Sequence, residues 1–194
     1  MNRRLFVAAL LSAGLVGCAP SGPTFHSVDI TGADYGKGFA LTDHTGVERT
    51  LADYKGKAVT LFFGFTHCPD VCPTSLATMK QALALLGPDA AKVQVLFVTL
   101  DPERDSTELL AAYVPKFDAS FVGLRGDAAA TAAVAKEYKI FYQKVPGSTP
   151  DSYTLDHSAG TYVHDTQGRL RLFIRHGETP QKIADDLKVL LAQN

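Results

Sequence analysis

Two largely apolar runs constrain the fold of this chain more than any other feature. Residues 58–65 read AVTLFFGF and residues 93–100 read VQVLFVTL. A strand with one solvated face alternates apolar and polar side chains. A run without that alternation belongs to a strand covered on both faces, the environment of a parallel sheet. Each run leads through a short loop into a helical pattern. After the first, Pro73 suits a first helical turn, and Leu76, Met79, Leu83 and Leu86 recur at three- and four-residue intervals up to Gly87, which can end the helix. After the second, Asp101-Pro102 stops the strand, and Ser106 can cap a helix running to about Phe117, with Leu109, Leu110 and Tyr113 on one face.

The alternation repeats once and then gives way to antiparallel strands. Phe121–Leu124 reads as a short strand, Asp127 caps an alanine-rich helix to about Tyr138, and Ile140–Val145 is apolar and extended. Residues 146–157, PGSTPDSYTLDH, read as a turn-rich loop. Gly160–His164 and Leu170–Ile174 are strands joined by a hairpin turn at 165–169, and Thr179-Pro180 opens a last helix with Ile183, Leu187, Leu190 and Leu191 on its buried face. Near the start, Phe39–Thr42 and Val47–Thr50 flank the turn Asp43-His44-Thr45-Gly46. The order is a hairpin, then β-α-β-α-β-α, then β-β-α, with no internal repeat. It predicts an α/β, thioredoxin-like three-layer sandwich over residues 25–194, with an N-terminal β-hairpin extension and an inserted β-hairpin.

The 194 residues make one domain by length, but the first 24 stand apart. Arg3 and Arg4 precede an apolar run, Leu5 to Val16, that is shorter than the roughly 20 residues a bilayer crossing needs. The run ends in Leu15-Val16-Gly17-Cys18, which resembles the lipobox of bacterial lipoproteins, where a small residue precedes a cysteine that is lipidated and becomes the mature N-terminus. Residues 1–17 are therefore expected to be a signal peptide. Cys18 is the expected lipidation site, 18–24 a tether rich in Pro, Ser and Gly, and the mature chain a membrane-anchored lipoprotein on the periplasmic face of the cell envelope. The net charge is −1, and losing Arg3 and Arg4 leaves 17 basic against 20 acidic residues, a balance of −3. That composition gives no broad basic surface for nucleic acid. Attachment to a membrane falls to the lipid rather than to charge.

The remaining cysteines, Cys68 and Cys72, lie between the first buried strand and its helix. Open α/β sheets place ligands at this carboxyl end of a strand. In an oxidising envelope such a pair is a structural disulfide, a redox centre or a metal site. A helix N-terminus favours the thiolate, the form that attacks disulfides and binds metal. A redox C-x-x-C has two intervening residues, whereas here there are three: Pro69, Asp70 and Val71. On one helical turn, positions i and i+4 share a face, so both sulfurs can address one ion. Two thiolates select soft metals such as Cu(I) or Zn(II), and two ligands leave room for a third.

Cys68-Pro69-Asp70-Val71-Cys72-Pro73, after Phe63-Gly64-Phe65-Thr66-His67, resembles the copper motif of the Sco/SenC family. Asp101-Pro102-Glu103-Arg104-Asp105 after the second strand and Leu155-Asp156-His157-Ser158 resemble two further motifs of that family, in its order and spacing, over about residues 25–192. The resemblance implies that Cys68, Cys72 and His157 bind a copper ion. It further implies delivery to, or redox maintenance of, the dinuclear copper site of cytochrome c oxidase. The partner is then the oxidase copper subunit or another envelope copper or thiol client. Members of the family are often held by a transmembrane helix, where this chain carries a lipobox.

Two functions follow from these residues. In one the chain is a copper chaperone, a binding and transfer protein rather than an enzyme. In the other it is a thiol-disulfide oxidoreductase with Cys68 and Cys72 as its catalytic redox pair. Peroxidase chemistry lacks a recognisable peroxide motif. His157 separates the first two, because a disulfide reductase needs no such histidine, whereas a copper site needs a third ligand. Around this set, His67 reads as a solvent-facing neighbour rather than a spare ligand, and His164 and His176 as structural or surface residues. His26 and His44 carry no motif. Asp101 either tunes charge or caps the next turn, Asp156 caps its loop rather than orienting His157, and Asp70 is exposed.

Overall fold

The structure, a computed structural model, describes residues 23–149 and 152–193. The signal segment 1–17, Cys18 and most of the tether lie outside the described residues. Among the residues described, no helix is long and apolar enough to cross a membrane. In chain order the strands are β1 (Val28–Asp29), β2 (Ala40–Asp43), β3 (Glu48–Thr50), β4 (Ala58–Gly64), β5 (Val93–Thr99), β6 (Val122–Arg125), β7 (Tyr142–Pro146), β8 (Tyr153–His157), β9 (Thr161–His164) and β10 (Leu170–Ile174). The helices are α1 (Val71–Leu86), α2 (Thr107–Tyr113), α3 (Ala128–Glu137) and α4 (Pro180–Leu191).

Every residue of β4 and β5 is buried, the polar Thr60, Gln94 and Thr99 of these largely apolar strands included. They pair in parallel from Ala58↔Val93 to Gly64↔Thr99, so both strands end at the same edge of the sheet. Strand β6 continues in parallel beyond β5, and β9 runs antiparallel along the other side of β4. The full order is β1-β10-β9-β4-β5-β6-β2-β3, a thioredoxin-like sheet with the N-terminal hairpin β2–β3 added beyond β6. Helices α1 and α4 pack against one another. On the opposite face from Phe62 and Cys72, Tyr138 after α3 packs its ring against Phe63 and Tyr162. Caps stand where the sequence places them: Ser106, Asp127 and Thr179 accept from the N–H of Leu109, Ala130 and Lys182.

Two elements differ from the sequence reading. Residues 146–157 do not form a loop throughout. Tyr153–His157 is a strand paired antiparallel with β7 from Tyr142↔His157 to Pro146↔Tyr153, a separate two-stranded arm. Past β7, the Gly147 N–H donates to the Ser152 carbonyl oxygen and the Ser152 N–H to that of Thr149, and the alternating YTLDH beyond them resumes pairing. The helix after Ser106 stops at Tyr113 and tightens into one 3-10 turn over Val114–Lys116, where Pro115 has no N–H to continue the ladder.

Candidate metal centre

The centre is assembled from three segments at the carboxyl edge of β4. Cys68 lies in the connection between β4 and α1, and Cys72 is the second residue of α1. The two cysteines therefore do not share a helical face, contrary to the i, i+4 reading. Cys68 precedes Pro69, whose ring clashes with a helical backbone at the residue before it, so Cys68 stays outside the helix. Its sulfur instead accepts the N–H of Cys72 at 3.3 Å, satisfying one of the free amides at the helix start. Asp70 occupies the N-cap position without a side-chain cap bond and is exposed.

His157 reaches this turn from the last position of β8. Its ring meets the edges of Phe65 and Phe62 with centroids 5.8 and 6.4 Å away. Its Nδ1 lies 3.0 Å from the Ser158 carbonyl oxygen, and donation there leaves Nε2 with a free lone pair. That Nε2 is 3.7 Å from Cys72 Sγ, and both sulfurs and Nε2 lie within 4.8 Å of one another. The Ser158 carbonyl thus orients the ring. Asp156 is exposed on β8 opposite Gln143 and neither caps a loop nor holds the imidazole.

Burial sets the protonation of the set. It depresses the pKa of His157, which favours the neutral imidazole that a ligand requires. Burial also pushes the Cys72 thiol well above the ordinary range, with Cys68 and the Asp105 carboxylate adding to the effect. A helix N-terminus alone would lower that pKa, but Cys72 is fully buried, and desolvation of a thiolate outweighs the helix. Both cysteines are free thiols. A soft cation placed between two sulfurs and an imidazole nitrogen supplies the charge that stabilises the thiolates, and its binding releases their protons.

Around the ligands stand residues whose roles the sequence did not disclose. Asp105 is fully buried and accepts from the Thr66 N–H at 3.0 Å and from the hydroxyls of Thr66 and Thr99 at 2.6 Å each, holding the connection that carries Cys68. Asp101 does not face the sulfurs; it accepts from the Tyr153 hydroxyl at 2.7 Å and from Arg104 Nε at 2.5 Å. The signal that locates this turn beside the site is the parallel register of β4 with β5. His67 is half exposed, its Nδ1 3.1 Å from Thr66 Oγ1, and stands outside the cluster. His164 is buried with Nε2 2.9 Å from the Gly36 carbonyl oxygen, and His176 is an exposed partner of Ser75. His44 accepts the Gly123 N–H, and His26 donates its backbone N–H to Asp186.

The SCO1/SenC family profile matches residues 28–192. This chain belongs to the SCO1/SenC family. Within it, the chain is 35% identical to the mitochondrial SCO2 homolog of Bos taurus, covering 97% of this chain and 75% of that protein. It is equally similar to the mouse and human SCO2 homologs but spans only 60% and 57% of their lengths. The solved structure of Bradyrhizobium japonicum ScoI with copper bound is 43% identical, superposes with a TM-score of 0.74 and covers 82% of this chain and all of that one. A SCO1/SenC family lipoprotein from Bacillus anthracis strain Ames is 26% identical, with a TM-score of 0.67 over 79% of this chain and 92% of that one.

Proposed function

We propose that this chain is a copper chaperone of the cell envelope that holds one copper ion between Cys68, Cys72 and His157 and delivers it to the dinuclear copper site of cytochrome c oxidase. The observation that carries the reading is the convergence of two free thiols and the His157 imidazole nitrogen within 4.8 Å, from segments far apart in the chain. Copper in the Bradyrhizobium relative supports the choice of metal. The client is the copper subunit of the oxidase. The chain is organised as a signal peptide at 1–17, a lipidated tether at 18–24 and a copper-binding domain at 25–194. Anchoring through Cys18 is supported by the lipobox and by the lipoprotein among the family's structures.

The proximity of the two sulfurs supports a second reading, thiol-disulfide exchange. Cys68 and Cys72 would become a disulfide, giving two electrons and two protons to a client disulfide that leaves as two thiols. Against it, burial raises the pKa of the Cys72 thiol and so disfavours the attacking thiolate, and exchange does not require a third group such as the His157 imidazole beside that sulfur.

The deciding experiment loads the reduced full-length chain in detergent with Cu(I). The expected result is one copper per chain, with X-ray absorption reporting two sulfurs and one nitrogen and with loss of tight binding in Cys68→Ala and in Cys72→Ala. Full stoichiometry and affinity in Cys68→Ala would refute the site. Normal oxidase assembly with His157→Ala at limiting copper, but not with Cys72→Ser, would establish the thiol reading instead.

A further inference from the structure

Between β5 and α2, the turn Asp101-Pro102-Glu103-Arg104-Asp105 supplies no ligand, yet it touches both segments that do. Asp105 holds the Cys68 connection through Thr66. Arg104 reaches the other way, to the β7–β8 arm that ends in His157. Its Nη1 donates to the Tyr153 carbonyl oxygen at 2.8 Å, and its guanidinium lies over the Tyr153 ring, 3.6 Å from the centroid. Its Nε is held by the buried carboxylate of Asp101, which also accepts the Tyr153 hydroxyl. Tyr153 is thus gripped at its carbonyl, its ring and its hydroxyl by a single pair of side chains.

Tyr153 and His157 stand four residues apart on β8, and side chains at even spacing share a face of a strand. Fixing the first residue of the strand therefore fixes the side from which the last one projects. A second route runs through packing. The Arg104 guanidinium lies 5.9 Å from the Phe65 centroid, and Phe65 meets the His157 ring at 86° with centroids 5.8 Å apart. At the exposed rim, Lys144 bridges Glu103 at 2.6 Å and covers the Tyr153 ring from 4.6 Å. A surface ion pair of that kind contributes little by itself. The partly buried, planar guanidinium does more, because its fork and its flat face are used at once.

We propose that Arg104 is the positioning residue for His157: through Tyr153 and Phe65 it fastens the arm in the register that presents Nε2 to the two sulfurs. This rests on the copper reading of the Cys68–Cys72–His157 cluster. Without the fastening, the arm keeps its hairpin but explores positions in which Nε2 no longer faces Cys72, and copper is left on the two thiolates. Arginine is required rather than lysine, because a compact ammonium cannot bond the Asp101 carboxylate and the Tyr153 carbonyl while lying flat on a ring.

The test uses the full-length reduced chain in detergent, loaded with Cu(I), in wild-type, Arg104→Gln, Arg104→Lys and Tyr153→Phe forms. Affinity is read by competition with a chromophoric chelator, ligation by X-ray absorption, and the Cys68–Cys72 disulfide potential by thiol-redox titration. Arg104→Gln is expected to lose roughly 10–100-fold in affinity, the range for groups that orient a ligand. It should also lose the ordered nitrogen contribution, with the potential unchanged. Arg104→Lys should fail to restore either, and Tyr153→Phe should show a smaller loss of both. Wild-type affinity and nitrogen ligation in folded Arg104→Gln would overturn the proposal. Should that variant not fold, wild-type ligation and affinity in Arg104→Lys would overturn it equally. A wild-type absorption spectrum identical to that of His157→Ala would instead overturn the copper reading on which it rests.

Discussion

The sulfur of Cys72 fills the space that a side chain on Gly64 would need. A Cβ at Gly64 would stand 2.7 Å from Cys72 Sγ and 3.0 Å from ring atoms of Phe62 and Phe97. Glycine at the end of a central strand marks such a close approach. Gly64→Ala must therefore move either the first turn of α1 or two core rings. We expect a loss of about 1–3 kcal/mol by urea unfolding of the metal-free protein. Weaker Cu(I) binding in the chelator competition should accompany it, because Cys72 moves with the helix. Wild-type values for both would mean that Cys72 is not held against β4.

Removing the imidazole separates metal handling from thiol chemistry. His157→Ala should lower copper affinity by roughly a hundredfold or more, beyond the 10–100-fold cost of losing a group that merely orients a ligand. The disulfide potential of Cys68–Cys72 should move far less, since it depends chiefly on the cysteines' own surroundings. Circular dichroism should report an intact fold.

The Asp105 carboxylate ties the Cys68 connection to the end of β5. Asp105→Asn keeps the shape but loses the charge that three donors share, and should cost about 2 kcal/mol, the order of a charged hydrogen-bond network member. Hydrogen exchange should accelerate at Thr66, whose N–H the carboxylate accepts, more than at the middle of β4 or β5. Uniform acceleration across the sheet would assign Asp105 to global stability alone.

Asp43 and Asp165 open the two hairpin turns in the same way. Each is buried and accepts main-chain N–H groups two and four residues on, together with an arginine Nε from Arg49 and Arg169 respectively. Burial opposes their ionisation, but these hydrogen bonds prevail and hold both carboxyls below the usual range. A depressed folded-state pKa contributes stability that is fully present above the unfolded value, about 3.9, and is lost as pH falls towards the folded one. Urea unfolding should show stability that begins to fall as pH drops below about 6.5, where the buried His157 and His164 resist the protonation that the unfolded chain accepts, and that declines further below about pH 5 as the two carboxyls approach protonation. In Asp43→Asn the stability at pH 7 should drop by about 1–2 kcal/mol and the slope below about pH 5 should be shallower. An unchanged slope would remove Asp43 from the acid response.

Mass spectrometry of the native protein should find cleavage before Cys18 and added acyl mass on that residue. An intact Met1 start, or an unmodified Cys18, would rule out the lipid anchor.

Periodicity and capping are local, and they were legible. The largely apolar runs at 58–65 and 93–100, the caps Ser106, Asp127 and Thr179, and the hairpin turns at 43–46 and 165–169 each declare themselves within a few residues. The Cys68–Cys72 spacing and the motif around His157 likewise marked the three residues that now stand together. The tertiary structure decided how they meet. Pro69 keeps Cys68 off the helix, burial rather than the helix terminus governs the Cys72 thiol, and His157 arrives on a paired strand instead of a loop. The motifs holding Phe65 and Arg104 marked these residues without showing their part, and Tyr153 carried no sign at all, because the bonds that reveal it join residues 49 and 52 positions apart, and the Cys72–His157 approach spans 85. Sequence patterns report which elements form, since propensity acts between near neighbours. Which side chains of separate elements touch is settled only when the parallel register of β4 and β5 brings their ends to one edge and the packed core excludes every other arrangement.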